Sequence, residues 1–310
     1  MSAASIATAP AAARPEIRTS LLGLLRGELR KIIHLRITWV MAAVITVLVI
    51  GGQLLLISGP KNASDMASAP LNSYYNVIEG DIAIVRILSG VFIIILAAHV
   101  VGLEYQHGTI RVLLARGVGR LHLLGAKVAA LALVGLIVLA LESLIELAFA
   151  WGLSLALAHG GQPWRVLGAT FWANLRIYLF YMVLNLVVTL LLAVAASVVG
   201  RSLAFGLAVG LSWSAVDNLL TIPLALLERL TGSDFWAKLS TVLLGPLLNR
   251  LPDYITLPDH EAAHTITVGG FGPQPLLSVS GGHALLVIGV YSAIFLAVAI
   301  GLTWRREVLD

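Results

Sequence analysis

Long apolar segments separated by polar segments dominate the sequence. About 20 apolar residues in a helix are enough to cross the ~30 Å hydrocarbon core of a bilayer. Six such segments lie at positions 37–57, 82–103, 128–157, 177–199, 203–227 and 283–304. The pattern therefore predicts an all-α integral membrane protein with six transmembrane helices, numbered here as spans one to six.

The polar segments carry patterns of their own. Residues 18–36 place apolar side chains at helical spacing and basic side chains opposite them, which predicts an amphipathic helix in the membrane interface. Residues 1–17 are rich in Ser and Ala and are predicted to form a disordered tail, so that 18–310 make up a single transmembrane domain. The Pro- and Gly-rich segment 228–282 is predicted to be partly structured, with one short helix near 235–244.

Composition agrees with a membrane protein. Hydrophobic residues make up 59% of the chain, charged residues 12%, and the mean hydropathy is +0.95. A soluble domain carries about a quarter charged residues. The net charge of +4 does not indicate nucleic-acid binding, because the basic residues cluster at the ends of apolar segments. The absence of cysteine excludes disulfides and thiolate metal sites.

The distribution of Lys and Arg predicts the orientation. With the N-terminus inside the cell, 13 of these residues fall on inside segments and 7 on outside segments. Because cytoplasmic segments carry the excess of positive charge, both termini are predicted to be cytoplasmic. The connection at 104–127 is then cytoplasmic as well, and the segment 228–282 is an outer one.

The connection between spans two and three is the most informative segment. It reads Glu-Tyr-Gln-His-Gly-Thr-Ile-Arg from Glu104, continues with Leu-Leu-Ala-Arg at 113–116, and ends with Lys127 directly before span three. Apolar residues at 110, 113 and 114 have helical spacing, which predicts a short basic amphipathic helix. Such a helix can dock onto another protein or lie on lipid headgroups, and the residue pattern alone favours neither.

The stretch 97–127, with these motifs, resembles the type-2 ABC exporter permease family, and the layout of spans and connections is similar as well. The resemblance implies a permease that forms a translocation path, with a cytoplasmic coupling helix between spans two and three that seats in an ATPase subunit. Matching positions make six residues candidates for coupling: Glu104, Gly108, Thr109, Arg111, Arg116 and Arg120. The alternative is that the arginines only set topology and bind anionic lipid.

The resemblance also implies partners. No phosphate-binding loop is present, since the segment 119–127 lacks the spacing of G-x-x-x-x-G-K-[ST]. We therefore expect a transport subunit without its own ATPase site and without a cofactor, and a separate ATPase chain that binds ATP and Mg²⁺. Six spans are half of the usual set, so a second permease copy, identical or paralogous, is expected. The expected location is the plasma (inner) membrane of a prokaryotic cell.

Acidic residues inside predicted spans are the next candidates. Glu142 and Glu146 lie one helical turn apart in span three, and Asp217 lies in span five. A charged side chain at mid-membrane costs about 2.5–3.5 kcal/mol, so the two glutamates are expected to face the protein. The two glutamates are either part of a substrate path or an interhelical lock, and Asp217 is either part of a substrate path or a packing contact. A rival function, a proton-coupled secondary transporter, would use all three acids as a relay.

Two further patterns concern helix packing and a possible metal site. Gly206 and Gly210 lie four residues apart in span five and could permit close helix contact. His260, Glu261 and His264 match H-E-x-x-H, the signature of zinc proteases. A membrane zinc protease is therefore a second rival. It is disfavoured because the segment reads as a strand and no third metal ligand follows on the same side of the membrane.

Overall fold

The computed structural model describes residues 20–57, 69–115, 117–157, 167–259 and 276–305, and within these ranges all regular structure is helical. A π-helical turn lies at Ala98–Gly102. The helices are α1 (Leu21–His34), α2 (Arg36–Ile57), α3 (Pro70–Ala97), α4 (Leu103–Gln106), α5 (Thr109–Ala115), α6 (Arg120–Leu157), α7 (Ala169–Gly200), α8 (Leu203–Leu219), α9 (Thr221–Thr231), α10 (Asp234–Ser240), α11 (Leu244–Ile255) and α12 (Gly281–Arg305).

Four of these helical stretches are long and apolar enough to cross a membrane: α3 through α4, α6, α7 and α12. Two bent pairs add to them. Helices α1 and α2 meet at 64°, and α8 and α9 meet at 47°. The described part of the chain therefore has four candidate spans, or up to six if each bent pair crosses once. The amphipathic segment predicted at 18–36 corresponds to α1, ahead of the apolar α2.

The fifth predicted span is interrupted. The apolar segment 203–227 divides into α8 and α9 around Leu220. Pro223 explains the break, because it has no N–H to donate to the carbonyl of Leu219, four residues earlier, and its ring crowds that carbonyl. A break of this kind leaves backbone carbonyls in the last turn of α8 that require other partners.

Two stretches are more helical than the sequence predicts. The second span begins at Pro70, twelve residues before position 82, with the proline in the first turn where its missing N–H is tolerated. Helix α11, in the segment read as mostly irregular, is also unpredicted. Its Pro246 lies in the first turn, where the missing N–H is tolerated, whereas Pro252 lies inside the helix and removes one backbone hydrogen bond.

Helix α7 lies at the centre of the bundle, packing against α3, α6, α8, α11 and α12. At one end of the bundle lie α1, the end of α4, the start of α6 and the end of α12. The Arg120 guanidinium donates to the Trp304 carbonyl oxygen at 3.4 Å, and the Leu203 N–H donates to the Gln106 side chain at 3.2 Å. We call this the α1 end, and the opposite one the α11 end.

Candidate coupling site and buried polar clusters

Four charged side chains meet where α1, α4 and α6 converge. The Lys31 ammonium lies 2.8 Å from a Glu28 oxygen and 3.0 Å from a Glu104 oxygen. The Lys127 ammonium lies 2.9 Å from the other Glu28 oxygen and 2.8 Å from the other Glu104 oxygen. Each cation therefore bridges both carboxylates. We call these four residues the ion cluster, and they join three elements at the α1 end.

The two cations of the ion cluster differ in exposure. The Lys127 side chain is 2% exposed and the Lys31 side chain 47%. Lys127 also donates to the Val100 carbonyl oxygen at 3.1 Å, so its ammonium lies within 3.1 Å of three oxygen atoms. Burial by itself would lower the pKa of Lys31, but hydrogen bonds to Glu28 and Glu104 raise it above its usual value. The charges balance within the cluster, as buried ions require.

Helix α5 buries its apolar side among side chains of α1, α4 and α6. Gly108 forms the turn before it with a φ of +67°, and the Thr109 hydroxyl donates to the Glu104 carbonyl oxygen at 3.2 Å. Ile110 is buried with Val118 and Leu123 in a small apolar cluster. The predicted apolar face of this helix is thereby confirmed. The opposite face is exposed and includes Val112, whose exposure is 54%.

The α1 end of span two is packed tightly against span five. A Cβ atom on Gly102, at the end of the π-helical turn, would lie 2.7 Å from the Ser202 carbonyl oxygen, so backbone meets backbone there. The Gln106 side chain accepts the bond from the Leu203 N–H at the start of α8. A π-helical turn inside an α-helix often marks a functional position.

The contact between spans two and five continues along the glycines of α8. A Cβ on Gly206 would lie 2.6 Å from the Ser197 hydroxyl and 3.4 Å from the Ala98 Cβ. A Cβ on Gly210 would lie 2.6 Å from the Ile94 Cγ2. The predicted close helix contact at these two glycines is confirmed.

The acids of span three face the protein. Glu142 is 3% exposed and Glu146 is 8% exposed, which confirms that neither points at lipid. The Thr46 hydroxyl, on α2, lies 2.7 Å from a Glu142 oxygen and joins spans one and three. Glu142 is thus positioned as an interhelical contact.

A second polar cluster lies between α3, α8 and α11. The Arg86 guanidinium donates to the side-chain oxygens of Asn249 and, at 2.9 Å, of Asn218. The Asn249 amide donates to the backbone oxygens of Asp217 and Asn218 at 3.2 and 3.4 Å. The Asp217 side chain accepts from the Gly245 N–H. We call these groups the Arg86 cluster, and a cavity of about 30 Å³ lies beside it.

The sequence profile of a family described as ABC-2 family transporter protein matches residues 24–225, from α1 into α9. This range exceeds half of the chain. The protein belongs to the ABC-2 transporter family. A search of curated proteins found no match to this chain.

For this ABC-2 family member, the structure brings together part of the predicted coupling residues. Glu104, Gly108 and Thr109 lie at the turn that leads into α5. Arg120 begins α6 and contacts the end of α12. Arg111 lies in α5 but its side chain is outside the described set, and Arg116 is outside the described residues altogether.

The zinc-protease signature of this ABC-2 chain also falls outside the described residues, since the structure describes nothing between 259 and 276. Asp217 lies in span five as predicted, but its surroundings were not foreseen. It lies at the last turn of α8, next to the start of α11.

Sequence reasoning missed two members of the ion cluster as functional candidates. Glu28 is the only acid between positions 18 and 36, and it lies on the apolar face with Leu25 and Ile32. A carboxylate on the apolar face of a basic helix indicates a buried cationic partner. Lys127 directly precedes the predicted span three, and nothing in the sequence pattern predicts its burial. Asn249 offered no local signal, because its contact with Arg86 spans 163 positions.

Proposed function

We propose that this chain is the permease subunit of an ABC exporter, whose six spans form the translocation path and whose α5 contacts a separate ATPase subunit. The observation that carries the proposal is the placement of α5. Its apolar side is buried against α1, α4 and α6, its other side is exposed, and the ion cluster joins the supporting elements. A rigidly mounted helix with an exposed face suits the transfer of force from a partner.

The proposal includes the orientation of the chain. We place the α1 end, and with it both termini, in the cytoplasm. The excess of Lys and Arg on these segments supports this orientation. Six crossings are supported by contacts that bring the starts of spans three and five and the ends of spans two and six to the same end.

The partners follow from the family. Two permease copies, identical or paralogous, would supply twelve spans, and two ATPase copies would bind ATP and Mg²⁺. ATP-driven closure of the ATPase pair would displace α5. The ion cluster would pass that displacement to spans one, two and three together, because it joins α1, α4 and α6. Transport would then proceed by alternating access.

Glu142 and Glu146 are assigned to an interhelical lock in this proposal. The bond between Thr46 and Glu142 supports the assignment, because it joins spans one and three inside the membrane. Asp217 is assigned instead to the Arg86 cluster near the α11 end. None of the three acids is then required to relay protons.

The experiment replaces Val112 by Asp on the exposed face of α5. Co-purification of the ATPase with tagged permease from its own membranes is expected to fall about five- to thirtyfold, since a central interface residue contributes about 1–2 kcal/mol. ATP-dependent transport falls with it, while the thermal unfolding of the permease stays unchanged. The matched control is Val242→Asp, a comparably exposed valine (48%) between α10 and α11.

Equal recovery of the ATPase with Val112→Asp and Val242→Asp would contradict the proposed contact. Transport by permease-only vesicles that collapses with an uncoupler would support the proton-coupled rival instead. Zinc retained by the purified chain, together with proteolysis lost in Glu261→Gln, would support the protease rival.

A further inference from the structure

Helix α11 occupies an unusual place for part of a connection between spans. Every residue from Leu244 to Pro252 is buried, including Arg250 at 3% exposure. The helix packs against α7, α8 and α12, so it lies inside the bundle and not on its surface. A buried segment of a connection needs specific contacts to hold its polar groups.

The break in span five supplies acceptors for one of those contacts. The carbonyl oxygens of Asp217 and Asn218 lie in the last turn of α8, just before the 47° bend, and they accept from the Asn249 amide of α11. Membrane helices tolerate such breaks when a neighbouring side chain satisfies the freed backbone groups. Asn249 therefore ties α11 to the bend itself.

A second contact holds the first turn of α11. The Gly245 N–H donates to the Asp217 carboxylate, an arrangement favoured by the positive end of the helix dipole. A Cβ on residue 245 would lie 2.3 Å from the Asp217 carbonyl oxygen and 2.4 Å from its carboxylate oxygen. Only glycine permits this close approach of α11 to α8.

Arg86 connects both contacts to span two. It is 6% exposed and donates to Asn249 and Asn218, and it interacts electrostatically with Asp217 at longer range. Glu104 of the ion cluster lies 18 positions further along the same continuous helix, about 27 Å away at 1.5 Å per residue. A displacement of span two at the α1 end therefore reaches Arg86 directly.

We propose that Arg86, Asp217 and Asn249 form a latch that holds α11 against the bend in span five, and that its release opens the outer end of the translocation path. This inference rests on the proposed function for its role in transport. The latch can open because Arg86 bonds to amides, which hold it less strongly than a paired carboxylate would. The cavity beside it, also lined by Asn185 and Ser214, can supply water to the separated groups.

The experiment uses the lack of cysteine in the chain. Ser214→Cys places one thiol in the cavity wall with little change of shape, and its reaction with a charged, water-soluble thiol reagent reports the opening of α11. In the purified permease, adding Arg86→Gln is expected to raise this rate about tenfold, as expected for the loss of a hydrogen bond to a charged group. Asp217→Asn is expected to act in the same direction.

Combining Arg86→Gln with Asp217→Asn is expected to raise the rate by less than the product of the two single effects, because both changes release the same latch. Arg176→Gln, which removes an exposed arginine from α7, serves as the matched control and leaves the rate unchanged. Arg86→Lys retains the charge but cannot bridge two amides with a planar fork, so its rate is expected to rise as well.

An unchanged rate in Arg86→Gln or Arg86→Lys would overturn the latch, as would a double variant whose rate rises by the full product of the two single effects. If Arg86→Gln does not fold, Arg86→Lys decides. The assay contains no ATPase, so its result is independent of the proposed transport function. Failure of ATPase binding with a responsive latch would reject the exporter proposal alone.

Discussion

The ion cluster and the Arg86 cluster both bury arginine or lysine beside acids, but they arrange the charges differently. In the ion cluster, each ammonium touches two carboxylates within 3.0 Å. In the Arg86 cluster, the guanidinium donates hydrogen bonds to side-chain amides and interacts electrostatically with Asp217 only at longer range. Direct pairing makes the first cluster a rigid joint between α1, α4 and α6. Indirect pairing makes the second a contact that can separate.

The difference matches the two tasks proposed for the ends of the molecule. A region that receives force must move as one body, so that displacement of α5 is not lost between helices. A region that gates the path must exchange its contacts during each cycle.

Removing the buried cation of the ion cluster should have the largest effect. Lys127→Met leaves Glu28 and Glu104 with only the half-exposed Lys31, and an uncompensated buried charge costs about 3–5 kcal/mol. We expect the free energy of unfolding in detergent, measured by titration with SDS, to fall by that amount.

The exposed Lys238, replaced by Met, serves as the control for loss of one positive charge. Adding Glu28→Gln to Lys127→Met should restore part of the stability, because one anion and one cation then remain. A Lys127→Met protein as stable as Lys238→Met would show that the ion cluster is not a rigid joint.

Replacing glycines at two close backbone contacts should change the free energy of unfolding by an intermediate amount. Gly102→Ala forces a Cβ against the Ser202 carbonyl at the α1 end, and Gly245→Ala forces one against the Asp217 carbonyl near the α11 end. Each should destabilise the protein by about 1–3 kcal/mol, as overpacking does. In the Ser214→Cys background, only Gly245→Ala should also raise the reactivity of the introduced thiol, because it displaces α11.

Gly289→Ala is the matched control for both glycine variants, since nothing lies within 4 Å of a Cβ built there. It should be neutral or stabilising, as expected for Gly→Ala in a helix. If Gly102→Ala raised the reaction rate of the introduced thiol as strongly as Gly245→Ala, then the two ends would not be separable by this assay.

Hydropathy and spacing predicted much of the fold because lipid imposes strong constraints on helices. The bounds of α2 and α12 differ from the predicted spans one and six by at most two residues. The break at Leu220 was not predicted, because the apolar segment continues without interruption through Pro223. The proline itself does indicate a possible break in a helix. Helix α11 was not predicted because its segment is rich in Pro and Gly, which usually interrupt helices.

The candidate sites were less predictable because they depend on long-range contacts. The α5 helix could be predicted from spacing and from resemblance, which are local properties. Glu28 carried a local signal, an acid on an apolar face, but its partners are set by how α1 packs on α6. Arg86 could be seen in the sequence as a cation in a span, yet Asn218 and Asn249 could not be assigned to it without tertiary structure.

The smallest effect is expected for Lys31→Met, which compares the exposed cation of the ion cluster with the buried one. Lys31 contacts the same two glutamates as Lys127, but its side chain is 47% exposed, against 2% for Lys127. Water and salt screen an exposed pair, so Lys31→Met should cost only about 0–1 kcal/mol of unfolding free energy, and less at high salt. The same SDS titration measures it. A loss as large as that of Lys127→Met would mean that charge balance, and not burial, determines the strength of the joint.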